Sequence, residues 1–167
     1  MKLATNQGDE PMPNHTDNHV VLSHTNKIAV DRIESVLKTE DAKLLHSIIP
    51  MPEDANWYDW RIENWGTKWD IYDVSWTRID DNTISLRFDT AWSPPVPVFE
   101  ELVTMGFDID ARYFDEGWGY IGQFYAQDGK IDDYCRSDIE EAIKQLPELD
   151  ETFGVSEQLA EMEMEIA

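Results

Sequence analysis

Residues 71–89 read Ile71-Tyr-Asp-Val-Ser-Trp-Thr-Arg-Ile-Asp-Asp-Asn-Thr-Ile-Ser-Leu-Arg-Phe-Asp89. Ile71, Asp73, Ser75 and Thr77 alternate with Tyr72, Val74, Trp76 and Arg78. Beyond Asp80-Asp81-Asn82, Ile84, Leu86 and Phe88 alternate with Ser85, Arg87 and Asp89. A period of two places alternate side chains on opposite sides of a strand, and the Asp-Asp-Asn cluster supplies turn chemistry. The stretch is therefore expected to be a β-hairpin with one aromatic and aliphatic face.

Working outward, Ser93-Pro-Pro-Val-Pro is expected to open a helix with Ser93 as its cap. Val98, Phe99, Leu102 and Val103 form its buried stripe, and Gly106 stops it. A second hairpin is expected from Ile109, Ala111, Tyr113 and Tyr120, Gly122, Phe124, turning at Asp115-Glu-Gly-Trp-Gly119. On the N-terminal side, His19–Ser23 reads as a short strand and Asp31–Lys38 as a helix. Thr39 is expected to cap a short element at Glu40–His46 that Pro50 and Pro52 terminate. The order strand, helix, hairpin, helix, hairpin predicts an α+β, ferredoxin-like antiparallel sheet with an added strand and helices on one face. Residues 14–136 are expected to form that domain. Residues 1–13 are polar, with Gly8, Pro11 and Pro13, and are expected to be a mobile arm. Residues 137–167 are expected to be an acidic helical tail. Ser137-x-x-Glu140 is its capping box, Pro147 interrupts it, and Val155, Leu159, Met162 and Ile166 form a narrow stripe. That stripe can pack on the domain or on a second copy.

The chain has 167 residues, 35 Asp and Glu against 13 Lys and Arg, and a formal charge of −22. Ten acids and one base fall in residues 138–167. This charge opposes direct binding to nucleic acid or anionic lipid and suits a basic protein partner. It also serves solubility alone in many proteins. One cysteine, Cys135, excludes an internal disulfide and a cysteine zinc cluster, and is expected to be a buried or half-buried thiol. No window has the composition of a signal peptide or membrane span, so a soluble, cytoplasmic protein is expected.

Four of seven Trp lie in Trp57–Trp69, WYDWRIENWGTKW. Aromatics stack on single-stranded bases only beside a cationic groove, and residues 57–125 are net negative. Trp60, Trp69, Trp76 and Trp92 are expected in the core. Trp57, Trp65 and Trp118 are the candidates for surface anchors of a protein partner. The segments MPNHTDNHVVLS (Met12–Ser23), IIPMP (Ile48–Pro52), Trp57–Trp69, FDTAWSPP (Phe88–Pro95) and YFDEGWGYIG (Tyr113–Gly122) resemble the YubB-type ferredoxin-like domain proteins of bacteriophages and plasmids. The resemblance spans about residues 12–136. It implies a ferredoxin-like fold and a mobile-element origin, and it brings no catalytic residues, since that family has no assigned biochemical role.

Enzyme motifs are absent: there is no GxGxxG, P-loop or HExxH, and no Ser or Cys has a motif-placed His. No cofactor or metal is expected. His15, His19 and His24 read as polar loop and strand residues rather than a zinc set. Glu63, Asn64 and Lys68 with Asp115 and Glu116 are the best candidates for acid–base work, against a structural reading in which they build turns. Three classes remain open. The first is an acidic inhibitor of a host defence protein, anti-CRISPR or anti-restriction, whose carboxylates imitate DNA phosphates on a basic nucleic-acid-binding surface. Asp73, Asp80, Asp81, Asp89, Asp108, Asp110, Asp115, Glu116 and the tail acids are its candidate contacts. The second is an interaction module, or a homodimer, docking through aromatics. The third is a small enzyme at the Asp115/Glu116 corner.

Overall fold

The computed structural model describes residues 14–166. The arm expected at 1–13 lies outside them. Six strands, β1 (His15–Ser23), β2 (Tyr72–Asp80), β3 (Thr83–Ala91), β4 (Asp108–Asp115), β5 (Ile121–Gln127) and β6 (Lys130–Arg136), form one sheet. Its order is β2-β3-β1-β4-β5-β6 and every pairing is antiparallel. The β2-β3-β1-β4 portion is the ferredoxin-like arrangement, extended at the β4 edge by two strands. The expected added strand is β5; β6 was not foreseen.

Helices α1 (Lys27–Leu37) and α4 (Val96–Thr104) cover one face. The strand period decides what they cover. Val20, Leu22, Ile84, Leu86, Phe88, Ile109, Ala111 and Phe124 point the same way and are buried against Val30, Ile33, Val98, Phe99 and Leu102. Each such Val, Leu, Ile or Phe side chain contributes about 1.5–3 kcal/mol by leaving water. α1 begins earlier than expected because Asn26 caps it, accepting from the Ile28 amide at 3.0 Å. α4 starts at Val96 after Pro95. Ser93 does not cap it; its hydroxyl bonds the Gly66 carbonyl. Gly106, at φ 96°, ends α4 as expected.

Two short helices fill the connection between α1 and β2: α2 (Leu44–Ile48) and α3 (Trp57–Asn64). The expected Thr39 cap does not start α2. Instead the Asp70 carboxylate accepts from the Leu45 and His46 amides at 2.9 and 3.0 Å. Burial pushes Asp70 above the usual carboxylate range, and these amides act against that rise. Thr67 then clamps the loop to β3 by donating to the Ala91 carbonyl at 2.8 Å and accepting from the Ala91 amide at 3.1 Å.

The tail forms α5 (Ile139–Gln145), α6 (Pro147–Phe153) and α7 (Val155–Ile166). Asp138, not Ser137, caps α5 by accepting from the Glu141 amide. Pro147 ends α5 and also begins α6, where a missing amide donor costs nothing. These helices build a second core on the opposite face of the sheet. Ile139, Ala142, Leu149 and Val155 close over Phe114 of β4 and Ile121 of β5, with Trp118 and Phe153 at the margin. Cys135 is exposed on β6, contrary to the expected burial.

Candidate functional site

Among the described residues the tail roofs the β4–β5 side of that second face and reaches β1, where Phe153 lies edge-on to His19. On the β2–β3 side Ser75, Thr77 and Arg87 are exposed. His19 lies opposite Arg87 on one neighbour and opposite Arg112 on the other. The three side chains make a cross-strand row on the floor of a groove of about 420 Å³, with Thr152 of α6 at its wall.

Each arginine of the row is compensated by a carboxylate. Arg87 donates to Asp17 at 3.3 and 3.1 Å. Arg112 donates to Asp110 at 3.2 and 2.9 Å. It also latches the tail, donating to the Glu148 carbonyl at 3.3 Å and the Thr152 hydroxyl at 2.9 Å. Burial pushes the Asp17 carboxyl up, but His19 and Arg87 outweigh this and hold it below its ordinary value. Groups so paired build a polar surface rather than a reaction centre.

The expected carboxylate ridge divides. Asp80 and Asp81 lie at the β2–β3 turn, and Asp108 starts β4 at the same end of the sheet. Asp73, Asp89 and Glu116 lie at the other end, about 23 Å away by the rise of an eight-residue strand. Asp115 is corrected outright. It is 5% exposed and its oxygens accept from the Gly117 and Gly119 amides at 3.2 and 3.0 Å, so it builds the turn and meets no partner. Asp110 is engaged by Arg112 and by Gln123 at 2.9 Å. Asp108 is partly occupied by the Asp128 amide.

Asp89 has the most perturbed carboxyl. Burial first, then the nearby Glu116, Asp17 and Asp73 charges, raise it to about 6 against the ordinary 3.8, with His15 acting in the other direction. A raised folded-state pKa binds the proton more tightly in the native protein. Stability therefore falls as pH rises from about 4 to about 6, and the penalty persists above. Asp89→Asn removes it. The variant is expected to be more stable than the parent by about 1 kcal/mol at pH 7.5, after discounting for water around a half-exposed group, and equal to it at pH 4. Urea midpoints at the two pH values measure this, and a variant less stable at pH 7.5 refutes it.

The aromatic anchors also rearrange. Trp65 is 1% exposed and donates from Nε1 to the Ile49 carbonyl at 2.9 Å, so it is core and not an anchor. Trp118 is half-buried against Phe114, ring centroids 5.1 Å apart, and closes the second core. Trp57 is exposed, as a surface anchor must be. Trp92, expected in the core, is exposed. Three of the candidate acid–base set are engaged locally: Asn64 donates to the Trp60 carbonyl at 2.9 Å, Lys68 lies over Trp69 and Trp92, and Asp115 holds its turn, while Glu63 and Glu116 are exposed. The three histidines separate. His15 bonds the Tyr72 hydroxyl, His19 packs edge-on to Phe153, and His24 bonds the Met105 carbonyl. Among the described residues no cluster of three His, Cys, Asp or Glu is placed to hold a metal, and no helix is long and apolar enough to cross a membrane.

The sheet topology and the helices on both of its faces define a small acidic α+β protein of the ferredoxin-like class. Residues 71–157 match the family model of the ferredoxin-like domain in Api92-like protein, and the chain belongs to that family. The match runs from the start of β2 through α5 and α6 into α7. A crystal structure of protein api92 from Yersinia pseudotuberculosis is similar at 20% identity and TM-score 0.42, over 59% of this chain and 39% of that one. The chain thus spans about two fifths of that relative's length. No curated protein matches it.

Proposed function

We propose that this chain is an acidic inhibitor, encoded by a phage or plasmid as its resemblance to YubB-type proteins implies. It acts in the host bacterial cytoplasm by covering the basic nucleic-acid-binding surface of a defence protein. One observation carries the reading. The tail is held to the sheet by its apolar side, and its ten acids accompany a single base, Lys144. None of the ten forms an ion pair among the described residues. The imitation of phosphates shifts from the two hairpins, where Asp110 and Asp115 are spent, to α5–α7. Asp138 and Asp150 are held by the Glu141 and Ser156 amides; the other tail carboxylates attract lysine and arginine side chains over about a Debye length and compete with DNA for them.

The test immobilises the full chain and captures host proteins at low salt. Nucleic-acid-binding proteins are expected, released by added DNA and by about 0.5 M salt, where the Debye length is only a few ångströms. Glu157→Lys with Glu161→Lys is expected to weaken capture by about tenfold or more through lost steering and new repulsion. Capture indifferent to DNA, to salt and to these substitutions overturns the proposal.

A further inference from the structure

The second half of α7 stands clear of the body. Val155 is buried, and Leu159 packs at the margin of the second core. Every residue from Ala160 to Glu165 is exposed, Met162 by 40%. Val155, Leu159 and Met162 follow one another at steps of four and three residues, so they share one face of the helix. That seam begins in the core and runs out into water at Met162 with its spacing unchanged. At about 100° per residue, Glu163 lies on one flank of Met162 and Glu165 on the other.

The charges around the seam work against the free helix. Glu157, Glu161 and Glu165 recur every four residues, and like charges at that spacing repel. Glu161, Glu163 and Glu165 lie toward the C-terminal end, where the helix dipole favours cations, yet the last turn holds no basic residue. No Lys or Arg follows Lys144 in the chain. None of the four glutamates forms an ion pair among the described residues. A basic side chain placed beside them relieves both costs, and the chain itself places none there.

We infer that the outer seam of α7, Leu159 and Met162 flanked by Glu163 and Glu165, docks an amphipathic basic helix of the protein partner. That helix sets an apolar stripe against Met162 and carries Lys or Arg on both sides of the stripe. Period and charge together select this occupant. A helix whose apolar residues recur at the same spacing lies along the seam. Its flanking cations then meet Glu163 and Glu165, as e and g residues meet across a coiled coil. A second copy of α7 sets glutamate against glutamate, and nucleic acid and anionic lipid are repelled by the chain's −22. A basic loop without a stripe leaves Met162 in water. This docking rests on the reading that the partner is basic, and it adds which secondary structure the partner presents and which tail side chains receive it.

Two synthetic peptides of identical composition, built from Leu, Lys and Ala over about three heptads, are titrated into the full chain. In one, leucine occupies positions a and d and lysine e and g; in the other the same residues are scrambled. The patterned peptide is expected to bind about tenfold more tightly, with the amide signals of residues 160–165 shifting. Met162→Gln, and Glu163→Gln with Glu165→Gln, are each expected to reduce that preference to about twofold or less. The melting temperature is expected to stay within a few degrees in both, since all three side chains are exposed. Glu140→Gln with Glu151→Gln removes the same charge elsewhere on the tail, and is expected to weaken both peptides alike and keep the preference. Equal affinities in the parent, or a preference that survives both seam variants, overturn the docking and leave the acidic-tail reading standing. Absence of binding by either peptide overturns both. Sedimentation showing a dimer that Met162→Gln dissociates assigns the seam to a second copy and overturns the partner-helix assignment.

Discussion

Trp65→Ala is expected to destabilise the fold by about 3–5 kcal/mol, the range for emptying a buried large aromatic site. Trp65 is 1% exposed and packs edge-on to Trp60 with ring centroids 5.6 Å apart, while the Arg61 guanidinium lies 5.2 Å from its ring centroid. Its Nε1 donor satisfies the Ile49 carbonyl, and the truncation leaves that acceptor without this bond. The surrounding loop cannot collapse freely into the void. Gly66 sits at φ 79°, where a Cβ would meet Pro97 Cδ at 2.7 Å, and Thr67 is bonded twice to Ala91. Trp65→Phe keeps most of the volume but not the donor, and is expected to cost about 1–3 kcal/mol. Urea unfolding measures both. If Trp65→Ala costs under about 1 kcal/mol and abolishes partner binding, Trp65 is a surface anchor after all.

The β2–β3 hairpin was legible in the sequence because its alternate residues face different surroundings, helices on one side and water on the other. β1 was legible only in its second half, at Val20 and Leu22. Its first half buries Thr16 and Asn18, polar residues that give no apolar period. Their burial is made tolerable by bonds no sequence pattern announces. Asn18 Nδ2 donates to the Thr16 carbonyl, the Phe88 carbonyl and the Thr90 hydroxyl, and the Thr16 hydroxyl meets that of Tyr120. β6 was missed for the opposite reason. It is an edge strand with mostly exposed residues, so Lys130–Arg136 carries little alternation to read.

The charge total was plain, but the sequence could not say which carboxylates are spent. Asp115 and Asp70 look like any other acids until backbone amides are found pointing at them. Trp65 and Trp92 exchanged places for a similar reason. Hydrophobicity ranks the two rings equally, whereas Trp65 fits under α2 with a carbonyl in reach and Trp92 is turned outward by a left-handed residue at the end of β3. The order of strands and helices predicted the ferredoxin-like fold, and that order is insensitive to both errors.

Gly122→Ala is expected to cost about 3 kcal/mol, at the upper end for overpacking, because what crowds the new methyl group cannot easily give way. Gly122 lies in β5 between Tyr113 of β4 and Cys135 of β6. A Cβ there would meet the Tyr134 carbonyl and lie 2.5 and 2.6 Å from Tyr113 Oη and Cζ. The Tyr113 ring is 2% exposed, and its hydroxyl is bonded to Asp133 at 3.4 Å and to the Tyr134 carbonyl at 3.3 Å. The obstruction is therefore backbone and a pinned ring rather than the end of a mobile side chain. Among the described residues β6 has β5 as its sole partner in the sheet, so the strain is relieved by lifting β6 away. α5 begins three residues beyond β6, and Tyr134 packs on the second core that holds the tail down. Hydrogen exchange should quicken first in β6 and then in α5, with β3–β1–β4 still protected. If the acids of α5–α7 meet the partner, Gly122→Ala also weakens capture without removing a single charge. A variant as stable as the parent shows that the β5–β6 pair tolerates a methyl group at its centre. One that loses stability but keeps full, salt-sensitive capture locates the partner-binding acids elsewhere than on the docked tail.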